Sequence, residues 1–487
     1  MSTSTKPPVR RGVLLFVMLL GSFLSVLNQT ILNVALPDLM DSFDISAATV
    51  QWLSTGFMLV NGVLIPATAY LMKRFTTRQL FISSMLFLLV GTFINAVAPS
   101  FGFLLAGRLI QAACAAIMMP LLMAVVMEVF PQEGRGSAMG TLGLVMVFAP
   151  AIGPTLAGLV IDHLSWRWIF ILMLPLVVIV IALALKYLVN VADTGRPKLR
   201  FGDIVLSTAG FGAVLYGFSN AGKDGWGDPV VLSLLIAGIL ILVVFTWRQL
   251  ASKDPLLNLR VFGNKVFAMT TVVNVIVTMV LYADMILLPI YLQSSRGYTA
   301  LETGLLLLPG ALLNAAMSPV TGRLLDKIGA KPLVIIGLIF TIPALWAVTD
   351  LSDSTSYGYL MVRTIVLRIG LTFLTMPITA AGLNSLPKQM SAHGSAVTNT
   401  VRQVAGAIGT ALVVTIMSTS SSGHAAELAA SGMIGDRLAA EASILGTGDA
   451  YLFTVILGVI ALLVTLFMPN SKPAPKKANA VPTEGLK

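Results

Sequence analysis

Few side chains in the long apolar runs of this sequence can hold or move a charge. Asn28, Arg108, Gln111, Asp284, Arg363, Arg368, Arg402 and Gln403 each sit in a stretch that is otherwise apolar. An ionisable group at the middle of a membrane-spanning helix costs about 2.5 to 3.5 kcal/mol on insertion scales, so such groups are rare and mark ion or substrate pathways. A carboxylate and a guanidinium brought together there form a pair that a proton or a competing cation can open. That is the kind of two-state element that couples one ligand to another. Asp284 is the candidate acid, able to carry a proton or to bind a cationic substrate. Arg108 is the candidate partner for whatever position 28 offers. Arg363 and Arg368 have three open roles: holding anionic substrate groups, pairing with Asp284, or serving as buried structural partners. Arg402 and Gln403 are similar cases, and Glu128 reads as a solvated helix end.

The elements that must position these residues follow from composition. Of 487 residues, 56% are hydrophobic and 11% are charged, against about 25% charged in soluble domains. No polar stretch between residues 12 and 470 is long enough for a water-soluble domain, which excludes a soluble enzyme, a disordered scaffold and a secreted disulfide protein. Cys114 is the one cysteine, and the three histidines are scattered, so neither a disulfide nor a metal cluster is expected. No Walker lysine motif and no paired catalytic carboxylates occur. The chain is therefore expected to be no enzyme, to need no cofactor or metal, and to draw nothing from ATP within its own length.

A bilayer-crossing helix needs roughly 20 mostly apolar residues. Fourteen such spans are expected, at 12–36, 48–72, 79–97, 102–127, 137–161, 166–188, 203–219, 230–248, 266–292, 303–322, 332–349, 358–384, 394–418 and 449–468. The first continues through Asn28 to Leu36 and is too long for a cleaved signal peptide. Twenty-three of the 31 Lys and Arg residues fall in or beside connections on the side of the two termini, and four on the other side. By the positive-inside rule both termini are cytoplasmic. The net charge of +10 is thus an address for helices, with no nucleic-acid partner implied. At about 1.5 Å per residue, Asn28, Arg108 and Asp284 lie roughly 12, 9 and 13 Å below the outer ends of their spans. All three share one slab.

Residues 101–131 read against 357–387, with aromatic-Gly-aromatic at the start of both, Met-Pro in mid-helix and Pro at the close. Residues 69–78 correspond to 322–331, and the offsets run from 253 to 257. Spans 1–6 therefore repeat as spans 9–14, with two extra spans between. The expected fold is an all-α membrane protein: a tail at 1–11, a six-helix bundle at 12–190, two linking helices at 191–262, a second bundle at 263–470 and a tail at 471–487. Parallel six-helix repeats are a transporter architecture with substrate bound between the halves near midplane.

At the level of motifs the sequence resembles the major facilitator superfamily, and within it the fourteen-helix drug:proton antiporter family. LNQTILNVALP (27–37) resembles that family's first-helix signature, and AYLMKRFTTRQL (69–80) the loop motif between helices 2 and 3. GRLIQAACAA (107–116) resembles the fourth-helix motif, with its Arg and Gln. APAIGPTLAG (149–158) followed by WRWIF resembles the fifth-helix antiporter motif, carried here by Pro150, Gly153, Pro154 and Gly158. Two positions depart from the pattern. The acidic residue of helix 1 is Asn28, and the loop motif's Gly and Asp are Ala69 and Lys73, while the second copy keeps Gly322, Asp326 and Gly329.

The resemblance implies neighbouring helices 1 and 4, so that Asn28 and Arg108 face each other. It implies a proton-coupling and substrate group of Asn28, Arg108, Gln111, Asp284 and Arg368, with Arg368 as the repeat partner of Gln111. It implies a cytoplasmic gate of Lys73, Arg74 and Arg78 with Gly322, Asp326 and Lys327, although positive-inside anchoring alone explains the first three. Gly140, Gly143, Pro150, Gly153, Pro154 and Gly158 suit close sliding contact with a helix of the other half. The implied function is export of lipophilic, cationic or zwitterionic compounds in exchange for protons, by a monomer in the cell membrane. A dedicated exporter of one metabolite, lipid or peptide is the alternative. Residues 420–446, rich in Ala, are expected to form a short helical hairpin outside the membrane.

Overall fold

The structure, a computed structural model of the chain, describes residues 11–45, 47–50, 52–131, 134–191, 195, 201–252 and 255–469. Among these, fourteen long helices take the places of the fourteen expected spans. The first six are α1 (Arg11–Ile31), α2 (Trp52–Arg74), α3 (Thr77–Ala96), α4 (Phe101–Val129), α5 (Arg135–His163) and α6 (Trp166–Tyr187). Two linking helices follow, α7 (Phe201–Asp224) and α8 (Pro229–Ala251). The last six are α9 (Lys265–Ile290), α10 (Ala300–Ile328), α11 (Ala330–Trp346), α12 (Tyr357–Asn384), α13 (Ser391–Ala430) and α14 (Asp436–Leu466). No strand occurs among the described residues. Among the described residues ten helices are each long and apolar enough to cross a membrane, and Trp52–Leu64 with Ala67–Arg74, bent by 56°, makes an eleventh if the pair is one span. The expected tails at 1–11 and 471–487 lie outside the described residues, apart from Arg11.

Local sequence explains where these helices start and stop. Thr76 and Thr299 head α3 and α10 with capping boxes, each exchanging bonds with the residue three places on, Gln79 or Glu302. This arrangement satisfies two backbone donors at once. The Asp228 carboxylate accepts from the N–H groups of Val230 and Val231 at the head of α8, with Pro229 in the first turn. Asn264 and Ser356 cap α9 and α12 in the same manner. Gly329, at φ +84°, separates α10 from α11, in a region that side-chain-bearing residues avoid.

Two boundaries differ from expectation. The first span ends at Ile31, not Leu36: a 3-10 turn over Leu32–Ala35 leads into a short helix, Leu36–Phe43, with Pro37 in its first turn. Proline is tolerated there because its missing N–H would be unpaired anyway. The helical hairpin expected at 420–446 is formed by the continuation of α13 and the beginning of α14. At 40 residues, α13 is about 60 Å long, twice the roughly 30 Å of bilayer hydrocarbon. It runs well past the membrane and turns back through Gly432 and Gly435, both at positive φ.

The repeat is visible in the packing. In the first half α1 contacts α4, α5 and α6, while α4 contacts α2 and α3, and α3 contacts α6. In the second half α9 contacts α12, α13 and α14, while α12 contacts α10 and α11, and α11 contacts α14. The two sets correspond helix for helix. Gly91 and Gly107 bring α3 and α4 together, and Gly337 and Gly370 do the same for α11 and α12. The halves meet through α5 against α10 and α13 against α2, again a related pair. The linking helices pack on each other, and α7 lies against α2 and α13. The outer face of α8 is apolar and open, with Leu240, Val243 and Trp247 exposed, as suits a helix facing lipid tails.

Candidate functional site

In the second half, Asp284 on α9 is buried to 1% exposure and is approached from two other helices. Its Oδ1 accepts from Nη1 of Arg363 on α12 at 2.6 Å and from the hydroxyl of Tyr451 on α14 at 3.2 Å. Its Oδ2 lies 3.4 Å from Nη2 of Arg368, one and a half turns further along α12. The Arg363 Nε donates to the Ala344 carbonyl of α11 at 2.8 Å, and its guanidinium sits 5.0 Å from the centre of the Tyr451 ring. Burying a carboxylate at this depth requires pairing, and the second half supplies two cations and a hydroxyl for one acid.

The two arginines differ in access. The Arg363 side chain is 1% exposed and that of Arg368 is 16%. Arg368 is the member of the cluster that faces a cavity of about 240 Å³ enclosed by α5, α9, α10, α12 and α13. Met146, Met285 and Met376 supply soft apolar wall, and Asn314, Thr372 and Arg402 supply polar wall. Thr372 follows Arg368 by four residues and so shares its helix face. Methionines adapt to varied apolar shapes.

The first half carries a related arrangement. Arg108 on α4 is 1% exposed. Its Nη1 donates to the Asn28 side-chain oxygen at 2.9 Å, to the Asn28 backbone carbonyl at 3.1 Å and to Gln111 Oε1 at 3.0 Å. The Gln111 amide donates onward to Thr92 at 2.9 Å. The Arg108 guanidinium lies 4.6 Å from the centre of the Phe57 ring, within the range of a cation–π contact. Among the described residues no carboxylate pairs with Arg108.

The structure thus brings Asn28, Arg108 and Gln111 into one group, and Asp284 and Arg368 into another. Sequence reasoning had left open whether Arg363 pairs with Asp284, and Tyr451 escaped it. The repeat carried a usable signal: Asp284 follows Asn28 by 256 positions and Arg363 follows Arg108 by 255. Both intervals fall within the spacing of the matched motifs. No comparable signal marks Tyr451, because tyrosine is common near the ends of spanning helices.

At the end of the bundle where α5 begins, the Asp326 carboxylate of α10 accepts from the backbone N–H groups of Gly136 at 2.7 Å and Ser137 at 2.9 Å. These N–H groups open α5, where no residue of the helix itself can accept them and the helix dipole favours an anion. A β-carbon at Gly140 or Gly322 would collide with the backbone of the facing helix, so α5 and α10 close on each other here. Arg135 adds a bond across the halves, from Nη1 to Asn384 of α12 at 2.8 Å. Of the basic residues expected at this gate, Arg78 bonds instead within the first half, to the Leu185 carbonyl and the Asn190 side chain. Lys73 lines a second cavity of about 420 Å³ between α2, α4 and α13, while Arg74 and Lys327 are exposed.

The fifth-helix motif divides in the same way. Gly140 and Gly143 meet α10, as expected for contact with the other half, and Pro150 lines the central cavity. Gly153 instead meets Thr30 of α1 in its own half, and Gly158 meets nothing. The close contact between halves therefore occupies only the first part of α5. The surroundings of the Pro154 ring lie outside the described residues.

Three comparisons with known proteins bear on this arrangement. Residues 18–410 match the sequence profile of the Major Facilitator Superfamily. The chain is 42% identical to the lincomycin resistance protein LmrB of Bacillus subtilis, over 93% of this chain and 95% of that protein. It is 45% identical to the uncharacterized MFS-type transporter YhcA of the same organism, over 85% of this chain and 78% of that one. In fold it is similar to the proton:xylose symporter XylE, with a TM-score of 0.64 at 14% identity over 95% of this chain and 96% of that one. At that identity the likeness concerns the fold alone.

Proposed function

The chain belongs to the Major Facilitator Superfamily and is a multi-pass membrane transporter, not an enzyme. From that premise we propose that it exports lipophilic compounds of cationic or zwitterionic character from the cytoplasm in exchange for protons, by alternating access. The resistance named for the LmrB relative supports a drug-like substrate. The 23-to-4 division of basic residues supports cytoplasmic termini and, with them, a cytoplasmic position for the Asp326 contact. The two matched sets of helices support a pair of bundles at 12–190 and 263–470 that rock against each other around the central cavity.

One observation carries the coupling mechanism: Asp284 is bound tightly on one side and loosely on the other. Arg363 holds Oδ1 at 2.6 Å, while Arg368, which faces the cavity, stands 3.4 Å from Oδ2. The looser oxygen is where a proton or a substrate ammonium group competes with Arg368. A cationic ligand there favours the ionised carboxylate, so its arrival expels the proton, and protonation expels the ligand. By linkage the two effects are equal and opposite, as exchange requires. Asn28 stands at the equivalent place of the first half and cannot titrate, which leaves this task to Asp284.

The test is substrate-induced proton release from purified protein in weakly buffered detergent solution. With Asp284→Asn the release is expected to vanish while the protein stays folded, because the amide keeps an acceptor for Arg363. Release of undiminished size in that variant would overturn the proposal.

A further inference from the structure

The central cavity has a wall whose charge runs against a simple lipophilic cation. Two of its side chains are guanidiniums, Arg368 and Arg402, and none of its described lining residues is Asp or Glu. None of them is Phe, Tyr or Trp either, whereas carboxylates and aromatic faces are the groups that hold organic cations. Asp284 lies behind the wall at 1% exposure and is already paired with Arg363 at 2.6 Å. Arg368, at 3.4 Å and 16% exposed, is the surplus cation of that cluster. Arg402, half-buried on α13, makes no hydrogen bond or ion pair with another described residue. Tyr282 of α9 lies close enough to act on its charge, and a guanidinium with no anionic partner among the described residues can take an acceptor from a ligand.

We infer that the cavity recognises an anionic group on its ligand, a carboxylate or a phosphate, held between Arg368 and Arg402, with the ligand's apolar body on Met146, Met285 and Met376. The inference rests on the reading above that this cavity is the transport cavity, and it narrows the substrate class from cations or zwitterions to zwitterions, whose negative group the arginines hold. Guanidiniums suit this task because their planar fork matches both oxygens of a carboxylate or phosphate. Asn314, on the same wall, adds a neutral donor for the ligand's remaining oxygens, while the Thr372 hydroxyl donates to the Arg368 carbonyl at 2.7 Å.

A consequence for coupling follows. An anion that engages Arg368 draws it from Oδ2 of Asp284 and leaves that oxygen without its cation. Binding of a purely anionic ligand therefore favours protonation of Asp284, so the ligand brings a proton in, whereas a cation sends one out. A zwitterion with its negative end at the arginines and its ammonium near Asp284 still releases a proton.

The experiment measures binding of two probes of similar bulk to the purified full-length protein. One is an N-dansyl amino acid, with a carboxylate and no ammonium; the other is tetraphenylphosphonium, a lipophilic cation. The dansyl carboxylate is expected to bind tighter than the phosphonium. Its affinity is expected to fall at least ten-fold in Arg402→Gln, and to be largely kept in Arg402→Lys. The phosphonium is expected to bind no more weakly in Arg402→Gln than in the unaltered chain. Tighter binding of the phosphonium, or unchanged carboxylate affinity in an Arg402→Gln protein with an unchanged melting temperature, would overturn the inference. Should Arg402→Gln fail to fold, the Arg368→Gln variant carries the same carboxylate test. Failure of the proton reading looks different: carboxylate binding that depends on Arg402 but moves no proton in either direction.

Discussion

The two halves of this molecule place a buried arginine in the same position and then surround it differently. Arg108 on α4 and Arg363 on α12 each reach toward the first helix of their own half, α1 or α9. In the first half that helix offers the Asn28 amide, and the guanidinium is held by three neutral acceptors and a phenylalanine ring. In the second it offers the Asp284 carboxylate, which two guanidiniums and a tyrosine share. In the proposed mechanism the first centre, where no carboxylate meets Arg108 among the described residues, is a fixed brace, and the second, a carboxylate with one tight and one loose partner, is the switch. On that reading the duplicated fold keeps one geometry and divides two tasks between its copies.

The largest expected effect separates a paired from an unpaired buried arginine. Arg363→Leu leaves Asp284 buried with the looser Arg368 and the Tyr451 hydroxyl, and breaking a buried ion pair costs about 3 to 5 kcal/mol. Arg108→Leu strands neutral acceptors, each worth about 1 to 3 kcal/mol when unsatisfied, but it also removes a desolvated charge that no anion balances. Melting in detergent should therefore show Arg363→Leu much the less stable of the two. Equal losses would break the distinction between brace and switch.

A smaller effect comes from giving the first half what the second already has. Asn28→Asp places a carboxylate within reach of Arg108 without changing the side-chain shape. Hydrogen bonds to charged groups contribute about 1.5 to 3 kcal/mol, against about 1 for neutral ones, so the variant should melt higher by about 1 to 2 kcal/mol near neutral pH. It should also raise proton-coupled transport by about two-fold or more, since both halves then hold a titrating pair. Higher stability without any gain in coupled transport would mean that the first-half centre is a brace whatever charge it carries.

How much of this could be read from the sequence depends on the physics behind each feature. The spans were legible because bilayer thickness sets their length and insertion cost keeps charges out of them. Arg108 and Asp284 were legible for the same reason, by their rarity, and the meeting of Asn28 with Arg108 followed from depth once helices 1 and 4 were taken as neighbours. The pairing of Arg363 with Asp284 depends on the rotation of α12 about its axis, which spacing within that helix does not determine and only the repeat interval from Asn28 and Arg108 points to. Tyr451 depends on how α14 sits against α9, and a tyrosine in a spanning helix carries no mark of its use. The division of the fifth-helix glycines was also hidden: the motif says that backbones approach closely, but not that Gly140 meets α10 while Gly153 meets Thr30 of α1. The unbroken extensions of α13 and α14 into the hairpin were missed because an Ala-rich stretch propagates a helix out of the membrane as readily as it starts a new one.

The smallest expected effect concerns those extensions, which the first half lacks. Outside the membrane, about 50 Å along α13 from its first residue, His424 Nε2 lies 2.9 Å from Asp449 of α14, whose same oxygen accepts from Ser420 at 2.7 Å. The hydrogen bond to Asp449 raises the His424 pKa above its ordinary value; burial opposes this, and the charges of Asp449 and Glu427 add to it. A raised folded-state pKa means that the contact contributes its full stability below about pH 6.5, the ordinary histidine value, and loses it as pH rises through the raised value. The side chains are 30% and 44% exposed, so water and salt screen the pair to under about 1 kcal/mol. Protease cleavage in the turn at 431–435 should accordingly quicken modestly between pH 6 and pH 8, and His424→Gln should remove that pH dependence while leaving transport within about two-fold. A pH response of cleavage that survives His424→Gln would assign the effect elsewhere, and a large loss of transport would make this hairpin part of the switch instead of a feature beside it.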